Sequence, residues 1–149
     1  MLTSLIYQMK TNTKVLCVDW DDTCFEDPAY QSYGLWIPSG ATNEPITRVH
    51  DFIKEKANEG YEIHVVSFRE ERHKQEMIDL AKLYDLPIKT FTCTSGKTKT
   101  PILKSLRCEI MIDDNVEVLV LAEQAGIKGL LVNWGQEDVN STATLFEKI

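Results

Sequence analysis

Short apolar runs alternate with segments of helical period along most of this 149-residue chain, and that alternation limits the fold more than any other feature. Lys14–Asp19 (KVLCVD) is a continuous apolar run ending in acid. Pro45–Asn58 carries Ile46, Val49, Phe52, Ile53 and Ala57 at helical spacing, with Pro45 suited to a first turn and Gly60 to a stop. Tyr61–Val66 reads as a strand. Glu70–Tyr84 reads as a helix with Met77, Leu80, Ala81 and Tyr84 on one face. Pro87–Cys93 is a weaker strand, Thr100–Leu106 a short helix, and Glu109–Asp113 a strand again ending in acid. Val116–Ala125 is a helix closed by Gly126, Lys128–Asn133 a strand, and Ser141–Ile149 a final helix. Five strands alternating with five helices predict a single α/β domain over 1–149, with a largely parallel sheet and helices on both faces. Ligands of such sheets bind beyond the carboxyl ends of the strands. Those ends are Asp19, Ser67, the region around Thr94, Asp113–Asp114 and Asn133.

Two of the strand ends carry acid clusters. Asp19-Trp20-Asp21-Asp22-Thr23 puts three carboxylates within four residues, where they repel one another and bury poorly. Such a cluster persists as a solvated turn or because a cation neutralises it. Asp113-Asp114-Asn115 follows a second apolar run in the same way. Ends of parallel strands face one side of the sheet, so the two clusters can supply oxygen ligands to one hard cation such as Mg²⁺. Between them in sequence lie Ser67 and the Lys97/Lys99 pair. A hydroxyl and an ammonium are the groups that hold a phosphoryl oxygen and offset its charge.

Composition excludes several classes. At 43% apolar and 26% charged, the chain reads as an ordinary soluble globular protein. No apolar run approaches the roughly 20 residues a membrane helix needs. Met1–Tyr7 lacks a basic n-region and a small-residue cleavage site, so a cytoplasmic location is expected. A net charge of −7 argues against an extended nucleic acid as partner, with Lys97, Lys99, Lys104 and Arg107 as one local basic segment. Cys17, Cys24, Cys93 and Cys108 have no zinc spacing and are read as reduced thiols. His50, His64 and His73 form neither a metal nor a triad spacing.

On these residues the chain resembles the haloacid dehalogenase (HAD) superfamily of phosphohydrolases, over roughly Val15 to Asn133. Val15-Leu16-Cys17-Val18-Asp19-Trp20-Asp21-Asp22-Thr23 matches the strand plus DxDx[TV] of the first motif. Ser67 in Val65-Val66-Ser67-Phe68-Arg69 matches the second, and Ile110-Met111-Ile112-Asp113-Asp114 the fourth. The third, a lysine, is best placed at Lys99, with Lys97 and Lys104 as alternatives. The resemblance implies a three-layer, Rossmann-like domain and a Mg²⁺-dependent phosphatase forming an aspartyl-phosphate. It casts Asp19 as nucleophile and Asp21 as acid and base. Ser67 and Lys99 would hold phosphoryl oxygens. Asp19, the Asp21 carbonyl and Asp113 would bind Mg²⁺, and Asp114 would position the lysine or help with the metal. Thr23 would bond the turn backbone and fix the phosphate-binding loop. The acid at Asp21 favours phosphatase or phosphomutase chemistry within the family.

Residues 24–44 are too few for a helical cap, so a short aromatic insert with Phe25, Tyr30, Tyr33 and Trp36 stands in its place. Those rings either anchor the loop or stack on a base or sugar. Capless relatives tend to act on large substrates or to borrow cover from a partner subunit, which would make a homo-oligomer. Trp20 is expected to line the entrance. Arg69 either contacts phosphate or pairs with Glu70 or Glu71. The Ser67-x-Arg69 spacing resembles nucleotidase-like and polynucleotide-phosphatase-like relatives, which points to a small phosphorylated substrate such as a nucleotide, or to a nucleic-acid-end phosphate. A phosphotransferase or mutase using the same intermediate, and a receiver-like module that accepts phosphate without turnover, are the competing readings.

Overall fold

A computed structural model describes residues 13–26, 44–133 and 145–149. Its strands are β1 (Val15–Val18), β2 (Glu62–Ser67), β3 (Ile88–Cys93), β4 (Ile110–Asp113), β5 (Lys128–Leu131) and β6 (Glu147–Lys148). Its helices are α1 (Thr47–Asn58), α2 (Lys74–Leu83), α3 (Thr100–Ser105) and α4 (Val116–Gln124). The six strands form one sheet in the order β3-β2-β1-β4-β5-β6, and every pairing is parallel. This is the expected α/β, Rossmann-like architecture with one more strand than the sequence suggested.

The extra strand corrects the expected final helix. Residues 141–144 of the expected Ser141–Ile149 helix lie outside the described residues, and Glu147–Lys148 run along β5, with Leu130 opposite Glu147 and Leu131 opposite Lys148. The Ile149 N–H donates to the Leu131 carbonyl at 2.9 Å, and the Asn133 N–H donates to the Ile149 carbonyl at 3.1 Å. Pairing to an open sheet edge satisfies backbone groups that a short helix would leave to water. The helix expected from Glu70 instead opens with a 3₁₀ turn at Glu71–His73 before α2. Pro45 does not begin α1. It makes an isolated antiparallel bridge to Phe25, and the helix starts two residues later.

Strand alternation sorts the core into two layers. Leu16, Val18, Ile63, Val65, Ile110 and Ile112 point to one face, against Val49 and Ile53 of α1 and Met77 and Ala81 of α2. Cys17, Val66, Met111 and Leu131 point to the other, against Leu103 of α3 and Val118, Leu119 and Ala122 of α4. Gly60 and Gly126 adopt φ of +101° and +81° just past α1 and α4, the left-handed conformation that ends a helix cheaply only at glycine.

The strand order matters for function. From β1 the chain moves outward through β2 and β3, then returns to β4 on the other side of β1 and moves outward through β5. β1 and β4 therefore flank the point where the winding reverses, and a crevice opens beyond their carboxyl ends. Both acid clusters sit there.

Candidate active site

The loop after β1 is held from below. Trp20 continues the alternation of Leu16 and Val18, so its ring goes into the core, where it is 1% exposed. It packs on Phe25 with ring centroids 5.0 Å apart and on Phe91 at 6.0 Å. Phe25 also meets Tyr84 at 5.2 Å and His50 at 4.8 Å, and His50 Nε2 donates to the Cys24 carbonyl at 2.8 Å. Burial holds the His50 pKa below its ordinary value. Trp20 is thus an anchor and not an entrance residue, which corrects its expected substrate-side role. The turn closes through the Trp20 carbonyl, which accepts from the N–H groups of Thr23, Cys24 and Phe25. Asp22 takes a positive φ of 59°, which aspartate tolerates better than most residues. With Trp20 turned down, Asp19 and Asp21 both line the crevice.

At the floor, Lys99 comes from the start of α3 and is 2% exposed. Its Nζ donates to Asp19 Oδ1 at 2.7 Å and to Asp113 Oδ2 at 2.9 Å. Burial works against its charge, but Asp113 and Asp19 outweigh that effect and hold the lysine above its ordinary pKa. Of the three candidate lysines, Lys99 is the one brought to the acids. Lys97 is exposed and lines a separate hollow with Thr94 and Ser95, and Lys104 lines another with Leu121.

Thr23 Oγ1 lies 3.1 Å from Asp19 Oδ2 and 3.2 Å from Asp114 Oδ1, so its hydroxyl serves both carboxylates. Thr23 is fully buried and its side chain bonds carboxylates across the crevice, which corrects its expected place on the turn backbone and against substrate. Asp114 contacts Thr23 while the lysine is held by Asp19 and Asp113, so of its two expected roles the structure favours the one beside a metal. Asp113 Oδ1 accepts from the Asn115 N–H at 3.0 Å, and Asn115 Oδ1 caps α4 by accepting from the N–H groups of Glu117 and Val118.

Asp19, Asp113 and Asp114 each offer a carboxylate oxygen, and these oxygens lie within 4.8 Å of one another. One ammonium cannot neutralise three carboxylates. Burial, and then the charge of Asp19, push Asp113 up to about 6. Burial, followed by Asp19 and Asp113, pushes Asp114 up to about 10. All-oxygen donors with surplus negative charge suit a hard divalent cation, so the residues fit Mg²⁺.

The rim is different. Arg69 grips Asp21 with both arms of its fork, Nε to Oδ2 at 2.9 Å and Nη2 to Oδ1 at 2.6 Å. Its Nη1 also lies 3.8 Å from Glu76, while of the expected acids Glu70 bonds Arg72 and Glu71 pairs with Lys74. Ser67, at the end of β2, is 1% exposed, and its Oγ accepts from the Arg69 N–H at 3.1 Å. Thr94, Ser95 and Gly96 donate their N–H groups to the carbonyls of Ser67, Arg69 and Phe68 at 2.8, 3.0 and 2.9 Å, which fixes this rim to the end of β3. Asp19, Asp21, Phe68, Arg69, Asp113, Asp114 and Asn115 enclose a cleft of about 150 Å³. Tyr30, Tyr33 and Trp36 of the aromatic insert lie outside the described residues.

The fold is that of the haloacid dehalogenase-like hydrolases, as comparison with solved structures shows. The chain is similar to one in the Pnkp1/Rnl/Hen1 RNA repair complex, with a TM-score of 0.64 and 18% identity over 84% of this chain and 44% of that one. It is also similar to a haloacid dehalogenase-like family hydrolase from Streptococcus pneumoniae, with a TM-score of 0.59 and 11% identity over 93% of this chain and 94% of that one. A third is the N-terminal part of a Bacteroides fragilis protein containing a phosphatase domain complexed with Mg, with a TM-score of 0.53 and 20% identity over 86% of this chain and 38% of that one. The chain thus spans less than half of the first and third. No family model and no curated protein matches it.

Among the described residues, no helix is long and apolar enough to cross a membrane. All four cysteines are free.

Proposed function

We propose that this chain is a Mg²⁺-dependent phosphatase that hydrolyses a phosphomonoester through an aspartyl-phosphate on Asp19. The observation that carries the reading is the convergence of Asp19, Asp113 and Asp114 at the reversal point of a parallel sheet. Asp19 attacks phosphorus, and the bond from phosphorus to the leaving oxygen breaks as Asp21 gives that oxygen a proton. Asp21 then takes a proton from water. The water oxygen attacks the phosphorus, phosphate departs and the Asp19 carboxylate is restored. Lys99 sits against Asp19 and is close enough to offset charge on the transferring group. Asp19, Asp113 and Asp114 would hold Mg²⁺, whose charge shields the anionic nucleophile from the anionic substrate.

Arg69 occupies both oxygens of Asp21. Proton transfer from Asp21 therefore requires one of those bonds to give way. A substrate phosphate drawing Arg69 toward itself would release Asp21 at the moment it is needed. The Ser67-x-Arg69 spacing and the similarity to a chain of an RNA repair complex support a nucleotide or a nucleic-acid-end phosphate as substrate. The test is release of phosphate from an aryl phosphate with and without Mg²⁺, in the wild type and in Asp19→Asn. Turnover that needs Mg²⁺ and disappears in the folded variant is expected. Turnover that survives the substitution contradicts the assignment.

A further inference from the structure

We propose that Phe68 is a stacking platform for a planar, hydrogen-bonding ring on the substrate's leaving group, seated in a hollow beside the catalytic cleft. The inference rests on the phosphatase reading above and names the leaving group that this site takes.

Phe68 lines the cleft on one side and a second hollow of about 150 Å³ on the other, and Asn115 also belongs to both. The two spaces are therefore neighbours across one ring. Phe68 is 39% exposed, while Trp20 and Phe25, the other rings close to the acid loop, are each 1% exposed. Large exposed apolar side chains are few among the described residues: Phe68, Leu83, Leu121 and Leu145. Two of these four, Phe68 and Leu121, line the same hollow. An exposed apolar pair beside a site full of charge is a place where a ligand gains from leaving water.

The ring already has a partner. Lys99 Nζ lies 4.5 Å from its centroid, a cation–π contact made by the same ammonium that holds Asp19. The Phe68 carbonyl is also tied to Gly96. A platform ordered before binding loses little freedom when a ring settles on it.

The remaining walls choose the kind of ring. Val118 and Leu121 are apolar, whereas Thr98, Thr100 and Asn115 bring hydroxyl and amide groups. The cap of α4 uses Asn115 Oδ1 and leaves its amide NH₂ out of that bond. Glu117 and Lys99 also line the hollow, one charge of each sign, and the lysine is already held by Asp19 and Asp113. Apolar faces, polar edges and no net charge suit a nucleobase. Stacking on an aromatic platform tolerates any base, because each has a π face.

The test compares adenosine monophosphate with glycerol phosphate, which lacks a ring, as substrates for the wild type, Phe68→Ala and Phe68→Trp. Phe68→Ala is expected to lower kcat/KM for the nucleotide by about tenfold more than for glycerol phosphate, and Phe68→Trp to restore it. Equal losses on both substrates would mean that Phe68 only steadies Lys99, and would overturn the proposal. A second arm needs no turnover: calorimetric binding of adenosine monophosphate to Asp19→Asn with and without Phe68→Ala. Weaker binding without the ring supports the platform, and unchanged binding overturns it. If neither substrate releases phosphate, the phosphatase reading fails, and the binding arm still decides the role of Phe68.

Discussion

The floor and the rim of the crevice hold charge in two different ways. At the floor, Lys99, Asp113 and Asp19 have side chains 1%, 1% and 9% exposed, and the lysine is shared between two acids. At the rim, Arg69 is also buried, at 5% exposed, but its main partner Asp21 is 19% exposed and its second acid, Glu76 at 3.8 Å, is 55% exposed. Buried charges without partners are costly, so the floor is locked by its own electrostatics. A more open carboxylate can let go of its partner and be solvated. On the proposed reaction, the difference would give fixed charge to the groups aligned on phosphorus and freedom to the group that moves a proton.

Removing the floor cation should have the largest effect. Lys99→Met leaves Asp19 and Asp113 facing each other in a dry site, and a loss of about 3–5 kcal/mol is expected in chemical denaturation. Mg²⁺ should return part of that stability. A variant as stable as the wild type would show that the floor is wetter than its burial implies.

At the rim the cost should fall on rate more than on folding. Asp21→Asn is expected to lower phosphate release by about 10²–10⁴-fold and to lower the melting temperature less than Lys99→Met does, because Asn can still accept from Arg69. Arg69→Ala leaves the carboxylate in place and should cost less than Asp21→Asn. A larger loss in Arg69→Ala would mean that the arginine acts on the substrate directly.

The floor also predicts a pH effect with a definite sign. Asp113 and Asp114 are raised from 3.8 to about 6 and about 10, so the folded chain holds protons that the unfolded chain releases. Their contribution to stability is complete below 3.8 and is lost as pH rises through about 6 and on toward about 10. Melting in a chelator should therefore start to fall above about pH 4, most steeply up to about pH 6, and go on falling more gently toward about pH 9, and saturating Mg²⁺ should flatten that decline. Matching slopes with and without Mg²⁺ would mean that these acids bind no metal. The smallest effect is expected from Asn115→Ala, about 1 kcal/mol from the lost helix cap.

Much of this arrangement was legible in the residue order. The apolar runs ending at Asp19 and Asp113 marked both strands, because runs buried on both faces need no alternation. The chemistry at their ends followed from parallel pairing. Trp20 was also readable, since it keeps step with Leu16 and Val18, but an aromatic inside an acid cluster drew attention to the wrong face. The end of the chain was not readable. Glu147–Lys148 is too short to show a period, and the strand exists because β5 offers an open edge. Sequence spacing favoured Lys99 without excluding Lys97 and Lys104, and it could not join Arg69 to Asp21. Those contacts depend on how far α3 and the β2 end reach into the crevice. Phe68 carried only a weak signal, an aromatic directly after the strand-end serine.

If Asp19 and Asp113 share one divalent ion, calorimetric titration of Mg²⁺ into the wild type, Asp19→Asn and Asp113→Asn will reveal it. One ion per wild-type chain, with binding lost or much weakened in each variant, is the predicted result. Binding of full affinity in either variant would contradict it.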